Sequence, residues 1–478
     1  MMRRLLLLIG SAAILVLSGC ASTSPEWSSS SADTRRDPRA AKAPRVDLSK
    51  QSVSNLMAPS NDLWVQIRQG FQLPELDSPL VEKQTQWLVN RPDYVNRSMA
   101  RSSRYLFYIV EEVNRRNMPT EIALLPFVES AFNPEAKSTA KAMGIWQFMP
   151  RTGQDFKLTQ NVFRDERRDV LQSTNAALDY LQRLYKQFGD WQLALAAYNW
   201  GEGNVARAIK RNQALRKPTD YESLTMPRET REYVPKLMAY KNIVQNPGAY
   251  NIVLPELENH PYFVAIDVTR DIDVDVAAQL AEMSLEDFRN LNPAFNKPVI
   301  LAAADQQMLL PFARAELFQM NLASYTKPLS SWTALKVTKS ETPEQLATRL
   351  ALNPETIRDV NNIPRGMRIR AGSTVLIPKP PGKESDIPQY LADHGQLKLD
   401  RTAPAKPKAS KPSQASANAK TTPKKATNSK TASTQQKSPS TNTTKSAKTG
   451  SNSGSVATNH FMRTRFGIQK HFGPSRLN

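Results

Sequence analysis

One carboxylate closes a strongly apolar run. Residues 123–150 read ALLPFVESAFNPEAKSTAKAMGIWQFMP: an apolar helical stretch ends in Glu129-Ser130, and a loop leads on to Gly144-Ile145-Trp146-Gln147-Phe148-Met149-Pro150. Removal from water raises the pKa of a carboxyl and keeps it protonated near neutral pH. A protonated carboxyl beside an aromatic loop suits general-acid cleavage of a sugar polymer. The same residues also fit a plainer reading, in which Glu129 ends a helix and faces water. Spacing alone leaves both open.

Elimination narrows the chemistry further. The single cysteine is Cys20, and the four histidines (His260, His394, His460 and His471) all follow Tyr250. The region around Glu129 therefore has no Ser-His or Cys-His nucleophilic pair and no His/Cys set for zinc, so neither a metal nor a cofactor is expected. Gly201-Glu202-Gly203 follows a helix rather than a strand, which argues against a phosphate loop. What remains is carboxylate chemistry with Tyr, Asn, Gln and Ser as positioning groups. A protein that only binds would pass the same elimination.

A second informative segment is Ala196-Ala197-Tyr198-Asn199-Trp200-Gly201-Glu202-Gly203-Asn204-Val205. An apolar helix ends in Tyr-Asn, and two glycines then let backbone or ligand approach closely. Read structurally, Tyr198 and Trp200 are core and Gly201 a helix C-cap.

These segments need a helical scaffold. Ser103 to Asn117 is amphipathic, and Pro119 opens a helix through Ile122, Leu124, Leu125 and Val128 with a kink at Pro126 and a stop at Asn133-Pro134. Leu171 to Phe188 sets Leu171, Leu178, Leu181, Leu184, Tyr185 and Phe188 on one face, with Gly189 as its stop. Asp190 can cap the next helix, WQLALAAYN, which is apolar nearly all round and belongs inside the domain. The helical domain spans residues 61–250. Glu135, Asp155, Glu202 and the Asp165-Glu166 pair read as solvated loop charges.

Two smaller units follow. Residues 332–378 read strand, helix, helix, strand, with helices from Pro343 to Leu352 and Pro354 to Asn361. Residues 262–311 repeat that order in a more degenerate form. Each unit shares a helix ending in Leu291-Asn292-Pro293 or Val360-Asn361-Asn362, and closes on Leu310-Pro311 or Ile377-Pro378. From 380 to 478 the composition is Lys, Ser, Thr, Ala, Asn and Pro, with too few apolar groups to offset chain entropy, so disorder is expected.

Charge and targeting bound the partners. Of 64 basic residues, 15 fall at 401–478 and none of the 44 acidic ones do, which leaves 49 against 44 elsewhere. The net charge of +20 thus belongs to a tail and not to a folded face, which argues against a nucleic-acid partner. Arg3-Arg4 and the apolar run from Leu5 to Leu17 read as a signal-peptide core over residues 1–19, and residues 20–60 as a flexible tether. Cys20 after Leu-Ser-Gly resembles the bacterial lipobox, in which that cysteine carries acyl chains. Ala21, in place of Asp, then implies an outer-membrane lipid anchor facing the periplasm.

VESAFNP, AMGIWQFMP and AAYNWGEGNV, in that order, resemble the three motifs of the soluble-type lytic transglycosylases. The resemblance spans roughly residues 61–378. It implies an α+β multidomain chain, with a mainly α lysozyme-like catalytic domain followed by small βααβ modules resembling LysM and a disordered tail. It implies that Glu129 is the catalytic acid and that Ser130 and Ser138 are polar neighbours in the same loop. Gly144, Trp146 and Gln147 would line the sugar groove, and Tyr198 and Asn199 would hold the glutamate and the substrate's N-acetyl group. The implied substrate is the glycan strand of peptidoglycan, cut between N-acetylmuramic acid and N-acetylglucosamine with a 1,6-anhydro product. A hydrolase of the same fold and an inactive, lipid-tethered wall-binding protein are the alternatives. Ser340-Glu341-Thr342 stands where LysM modules usually have Gly-Asp-Thr.

Overall fold

The computed structural model describes residues 62–304 and 306–401. The expected signal peptide (1–19), the tether (20–60) with Cys20, and the tail beyond residue 401 lie outside the described residues.

The N-terminal part is helical: α1 Leu63–Gln69, α2 Pro79–Val89, α3 Pro92–Ser102, α4 Leu106–Arg115, α5 Leu125–Ser130, α6 Pro150–Asp155, α7 Val170–Phe188, α8 Trp191–Trp200, α9 Glu202–Ala214, α10 Arg228–Arg231 and α11 Tyr233–Gln245. The ends of α7 follow from local chemistry. The Asp169 side chain accepts the Gln172 N–H at its start, and Gly189 takes the left-handed conformation (φ 69°) at its stop. Leu171, Leu178, Leu181 and Leu184 are buried, each stabilising the domain by about 1.5–3 kcal/mol. Tyr185, expected on that face, is 40% exposed and stacks on Trp191 with ring centroids 4.4 Å apart. Asp190 caps α8 through the Leu193 N–H. Residues 193–197 of α8 are buried, and its small alanines admit α7, α9 and α11 at close range.

The acid-bearing helix differs from the expected kinked one. Thr120–Leu124 forms a 3-10 turn, and α5 begins at Leu125, which leaves Pro126 in the first turn where its missing N–H costs nothing. The helix stops at Ser130 and not at Asn133-Pro134, because Ala131 (φ 51°) and Phe132 (φ 54°) are both left-handed. Their N–H groups bond back to the Phe127 and Pro126 carbonyls. Phe132 is fully buried edge-on against Phe127, at 4.5 Å, which offsets the backbone strain.

The first small unit contains β1 Phe263–Asp267, β2 Ile272–Asp273, α12 Val274–Leu280, α13 Leu285–Leu291, β3 Val299–Ile300, β4 Gln307–Pro311 and α14 Phe312–Ser324. The second contains β5 Trp332–Lys336, α15 Pro343–Leu350, α16 Pro354–Asn361, β6 Met367–Ile369 and β7 Thr374–Pro378, followed by α17 Gln389–His394 and β8 Leu399–Arg401. β1 pairs antiparallel with β4, and β5 with β7. The two units share one polar device. In the first, Asn292 Oδ1 accepts the Leu309 N–H at 2.7 Å and its Nδ2 donates to the Leu309 carbonyl at 2.8 Å. In the second, Asn361 makes the same pair with Leu376, at 2.8 and 2.7 Å. Each buried side-chain amide thus pins a helix end to the closing strand as a strand neighbour would.

One expectation is corrected. Composition places residues 380–401 in the disordered tail, yet Ile387, Leu391 and Ala392 are buried in one cluster with Phe163, Val299, Leu301 and Leu376. Three apolar side chains in an otherwise polar stretch suffice because three surrounding elements supply the remaining surface. β8 also adds a strand to β6.

Candidate active site

Glu129, the penultimate residue of α5, is half-buried. The Tyr233 hydroxyl, at the start of α11, donates to Glu129 Oε1 at 2.5 Å. Tyr233 itself is 3% exposed, so its phenol is fixed by packing. Tyr198 approaches from the end of α8 and donates its hydroxyl to the Trp146 carbonyl at 2.9 Å. Burial, aided by the negative charge of Glu129 and by Tyr180, pushes the Tyr198 phenol well above its ordinary range, so it stays neutral. Asn199 Oδ1 accepts from Thr230 Oγ1 at 2.9 Å, which turns its amide nitrogen away from α10.

The 136–148 loop wraps this set. Ser138 Oγ accepts the Ala142 N–H at 2.9 Å, and the Met143 and Phe148 N–H and C=O groups exchange bonds at 3.1 Å. Gly144 has φ 78°, and a Cβ there would lie 2.1 Å from the Arg167 carbonyl oxygen. Only glycine satisfies both the conformation and the approach. Gln147 is also left-handed (φ 50°), and its Nε2 donates to the Gly144 carbonyl at 2.8 Å. The Ser130 hydroxyl donates to the Ile145 carbonyl at 3.0 Å, with the Pro126 carbonyl at 3.2 Å. The residue after the acid is therefore stitched to the loop.

The sequence-derived residues split into two groups. Glu129, Gln147, Tyr198 and Asn199 are half-buried and present surface to a ligand. Ser130, Ser138, Gly144 and Trp146 are buried and form the frame behind them. The expectation that Trp146 and Gly144 line the groove is corrected: Trp146 is fully buried, with its indole N–H on Thr174 Oγ1 at 3.0 Å. A tryptophan in the core with its one polar atom satisfied is the low-energy solution. Ser130 and Ser138 spend their hydroxyls on backbone for the same reason.

Sequence reasoning missed Tyr233, Thr230 and Tyr180. The only signal for Tyr233 was a tyrosine opening an apolar helix, whose hydroxyl must find a partner when buried. It also misjudged three charges. Asp165 is buried against Arg167, Glu166 accepts the Thr159 N–H at 2.6 Å, and Glu202 accepts from Tyr180 at 2.7 Å and pairs with Arg183 at 3.2 Å. Glu135 and Asp155 are exposed as expected. Asp165, Glu166 and Glu202 are thus engaged by neighbours, while Glu129 is half-buried with the Tyr233 phenol on one carboxyl oxygen.

Comparisons with known proteins give the class of this arrangement. The family model described as the Transglycosylase SLT domain matches residues 107–220, which take in Glu129, the 136–148 loop, Tyr198 and Asn199, while Tyr233 lies beyond the match. A second model, described as the LysM-like domain of lytic transglycosylase MltD, matches residues 262–327, the unit whose sequence reads as the more degenerate. The chain is 34% identical over 334 residues to the membrane-bound lytic murein transglycosylase D of Escherichia coli strain K12, covering 67% of this chain and 74% of that one. It is 32% identical over 117 residues to the soluble lytic murein transglycosylase of the same strain, covering 23% and 18%. The crystal structure of the 70 kDa soluble lytic transglycosylase from Escherichia coli aligns at 25% identity and a TM-score of 0.26, over 35% of this chain and 30% of that one. The chain belongs to the lytic transglycosylase family, alongside its membrane-bound D members.

Proposed function

We propose that the protein is a peptidoglycan lytic transglycosylase that cuts the β-1,4 bond between N-acetylmuramic acid and N-acetylglucosamine. The observation that carries this reading is Glu129, set at the mouth of the frame with the Tyr233 hydroxyl on one carboxyl oxygen. Glu129 gives its proton to the bridging oxygen as the bond to muramyl C1 breaks. The resulting carboxylate takes the proton of the muramyl C6 hydroxyl as that oxygen closes on C1. The ring oxygen of the product comes from the substrate, so neither water nor a second carboxylate is consumed, and Glu129 ends as it began.

Each neighbour has a physical task. Tyr233 holds one carboxyl oxygen fixed through both proton transfers and steadies the charged form between them. Tyr198 and Ser130 fasten the Trp146 and Ile145 carbonyls, so the loop carrying Gln147 keeps its distance from the acid. With Gln147 Nε2 held by the Gly144 carbonyl and Asn199 Oδ1 by Thr230, the Gln147 amide oxygen and the Asn199 amide nitrogen are offered to the sugar's N-acetyl group and hydroxyls. Preorganised groups of this kind lower the barrier without rearranging during the step.

The LysM-like units serve to keep the enzyme on its polymer. For location, the reading is a periplasm-facing enzyme held to the outer membrane by lipid on Cys20. No helix among the described residues is long and apolar enough to cross a membrane, and the relative is itself named membrane-bound. Mass spectrometry of digested peptidoglycan tests the chemistry: anhydro ends are one water lighter than the reducing ends a hydrolase would leave. Glu129→Gln should lower turnover by about 10²–10⁴-fold while binding to isolated wall persists. Lysis unchanged in that variant refutes the role. Cys20→Ser protein that still fractionates with outer membrane refutes the anchor.

A further inference from the structure

Arg167 lies outside the three motifs, yet its side chain is buried directly behind the second. Its Nε and Nη2 grip Asp165 at 2.9 and 2.6 Å, a two-point clasp that fixes the guanidinium plane. The remaining nitrogen, Nη1, donates to the Lys141 carbonyl at 2.9 Å and lies 3.4 Å from the Phe148 carbonyl. These two carbonyls bracket the stretch that carries Gly144 and Gln147. The backbone of Arg167 is what forbids a side chain at Gly144, and its methylenes pack 3.0 Å from where a Cβ on Gly153 would stand. One residue thus fixes both ends of the loop and its closest approach.

The position of Arg167 is set in turn from the far side. The segment 161–165 is gripped by the first LysM-like unit: the Asp165 N–H donates to the Ala294 carbonyl at 2.9 Å, and the Asn296 N–H to the Phe163 carbonyl at 2.7 Å. The Asn296 side chain donates to the Asn161 carbonyl at 3.0 Å and accepts from Arg168. Phe163 is buried among Leu301, Ile387 and Leu391 of the small units and the segment after them. Asn161 Nδ2 reaches the Ala392 carbonyl at 2.9 Å.

We propose that Arg167 is a positioning residue for the reaction, and that the LysM-like unit, by holding residues 161–165, sets where Arg167 places the 141–148 loop. The path runs through named contacts: from unit to Asp165, to Arg167, to the Lys141 and Phe148 carbonyls, and through Ile145 and Trp146 to Ser130, the residue after Glu129, and to Tyr198. The sugar-binding part is therefore also a wall of the catalytic part. Misplacement by about 1 Å at this remove is enough to cost up to about 100-fold in rate.

The proposal rests on Glu129 acting as the acid, and the test is kinetic. Full-length wild type, Arg167→Lys, the paired Asp165→Asn/Arg167→Met variant and Asn296→Ala are assayed on soluble, uncross-linked glycan tetrasaccharides, with thermal melting of each. Arg167→Lys keeps the charge facing Asp165 but loses the planar fork. The expected result is a fall in kcat of about 10-fold or more for either Arg167 variant, and of about 3-fold for Asn296→Ala, with KM within about 2-fold in each. If the lysine variant does not fold, the paired variant (which buries no lone charge) and Asn296→Ala carry the test. An active wild type beside folded variants with unchanged kcat, or with losses confined to KM, overturns this proposal alone. A wild type that yields no anhydro product overturns the functional reading and this proposal with it.

Discussion

Tyr233 and Glu129 stand 104 residues apart in the chain and 2.5 Å apart in the fold, phenol to carboxylate. The bond joins the first residue of α11 to the last turn of α5, two helices that pack through the domain core. The acid is thus held by the scaffold itself and not by a mobile loop. Removing only the oxygen, as in Tyr233→Phe, leaves the packing intact and takes this donor from the carboxyl. The expected effect is a loss of about 10-fold or more in kcat with little change in melting temperature, read by anhydro-product formation.

Gly144 is the tightest point of the frame. Gly144→Ala must place a methyl 2.1 Å from the Arg167 carbonyl oxygen at φ 78°. The backbone alone costs about 1 kcal/mol, and the clash adds to it, so a destabilisation of at least about 2 kcal/mol is expected with activity lost in parallel. Denaturant unfolding beside an activity assay checks it.

The buried amide of Asn361 satisfies the N–H and the C=O of Leu376 together. Asn361→Ala strands both and should destabilise the second small unit by about 2–3 kcal/mol. Asn292→Ala should do the same to the first. Hydrogen exchange would show β7 or β4 opening respectively, while α7 and α8 stay protected.

Stability should carry a signature of Asp169. Burial chiefly, with repulsion from Glu166 added, pushes its carboxyl up to about 6 from 3.8, while the Gln172 N–H pulls the other way. Folding therefore favours the proton, and this group's contribution is present in full below about pH 4 and is lost as pH rises through 6. Asp169→Asn keeps the capping acceptor and never ionises. The variant should match wild type near pH 3.5 and exceed it at pH 7.5 by on the order of 1 kcal/mol or more. Melting curves at the two pH values decide the point.

Burial of the 386–401 segment makes a last prediction. Leu391 is 4% exposed between Phe163 and the small units, so Leu391→Asp should lower the melting temperature through an unpaired buried charge. A surface substitution such as Tyr390→Ser, at a side chain 57% exposed, should not.

Much of this molecule is written locally. The limits of α7 and α8 and the βααβ order of both small units follow from apolar period, capping groups and stop residues that act within one or two helical turns. The motif order carried the chemistry for the same reason, since each motif is a continuous stretch. Tertiary structure alone decided which motif residues keep exposed surface and which are buried behind them. Trp146 went to the core because the packed interior offered its ring full burial and its N–H an acceptor on Thr174. It also supplied Tyr233, turned Asp165 from an apparent surface charge into half of a buried clasp with Arg167, and drew residues 386–401 into the fold. Trp146, Tyr233 and the 386–401 segment each find their partner on another element, and the Asp165-Arg167 pair is buried by such elements; no short-range pattern records a contact whose energy appears only when distant surfaces close.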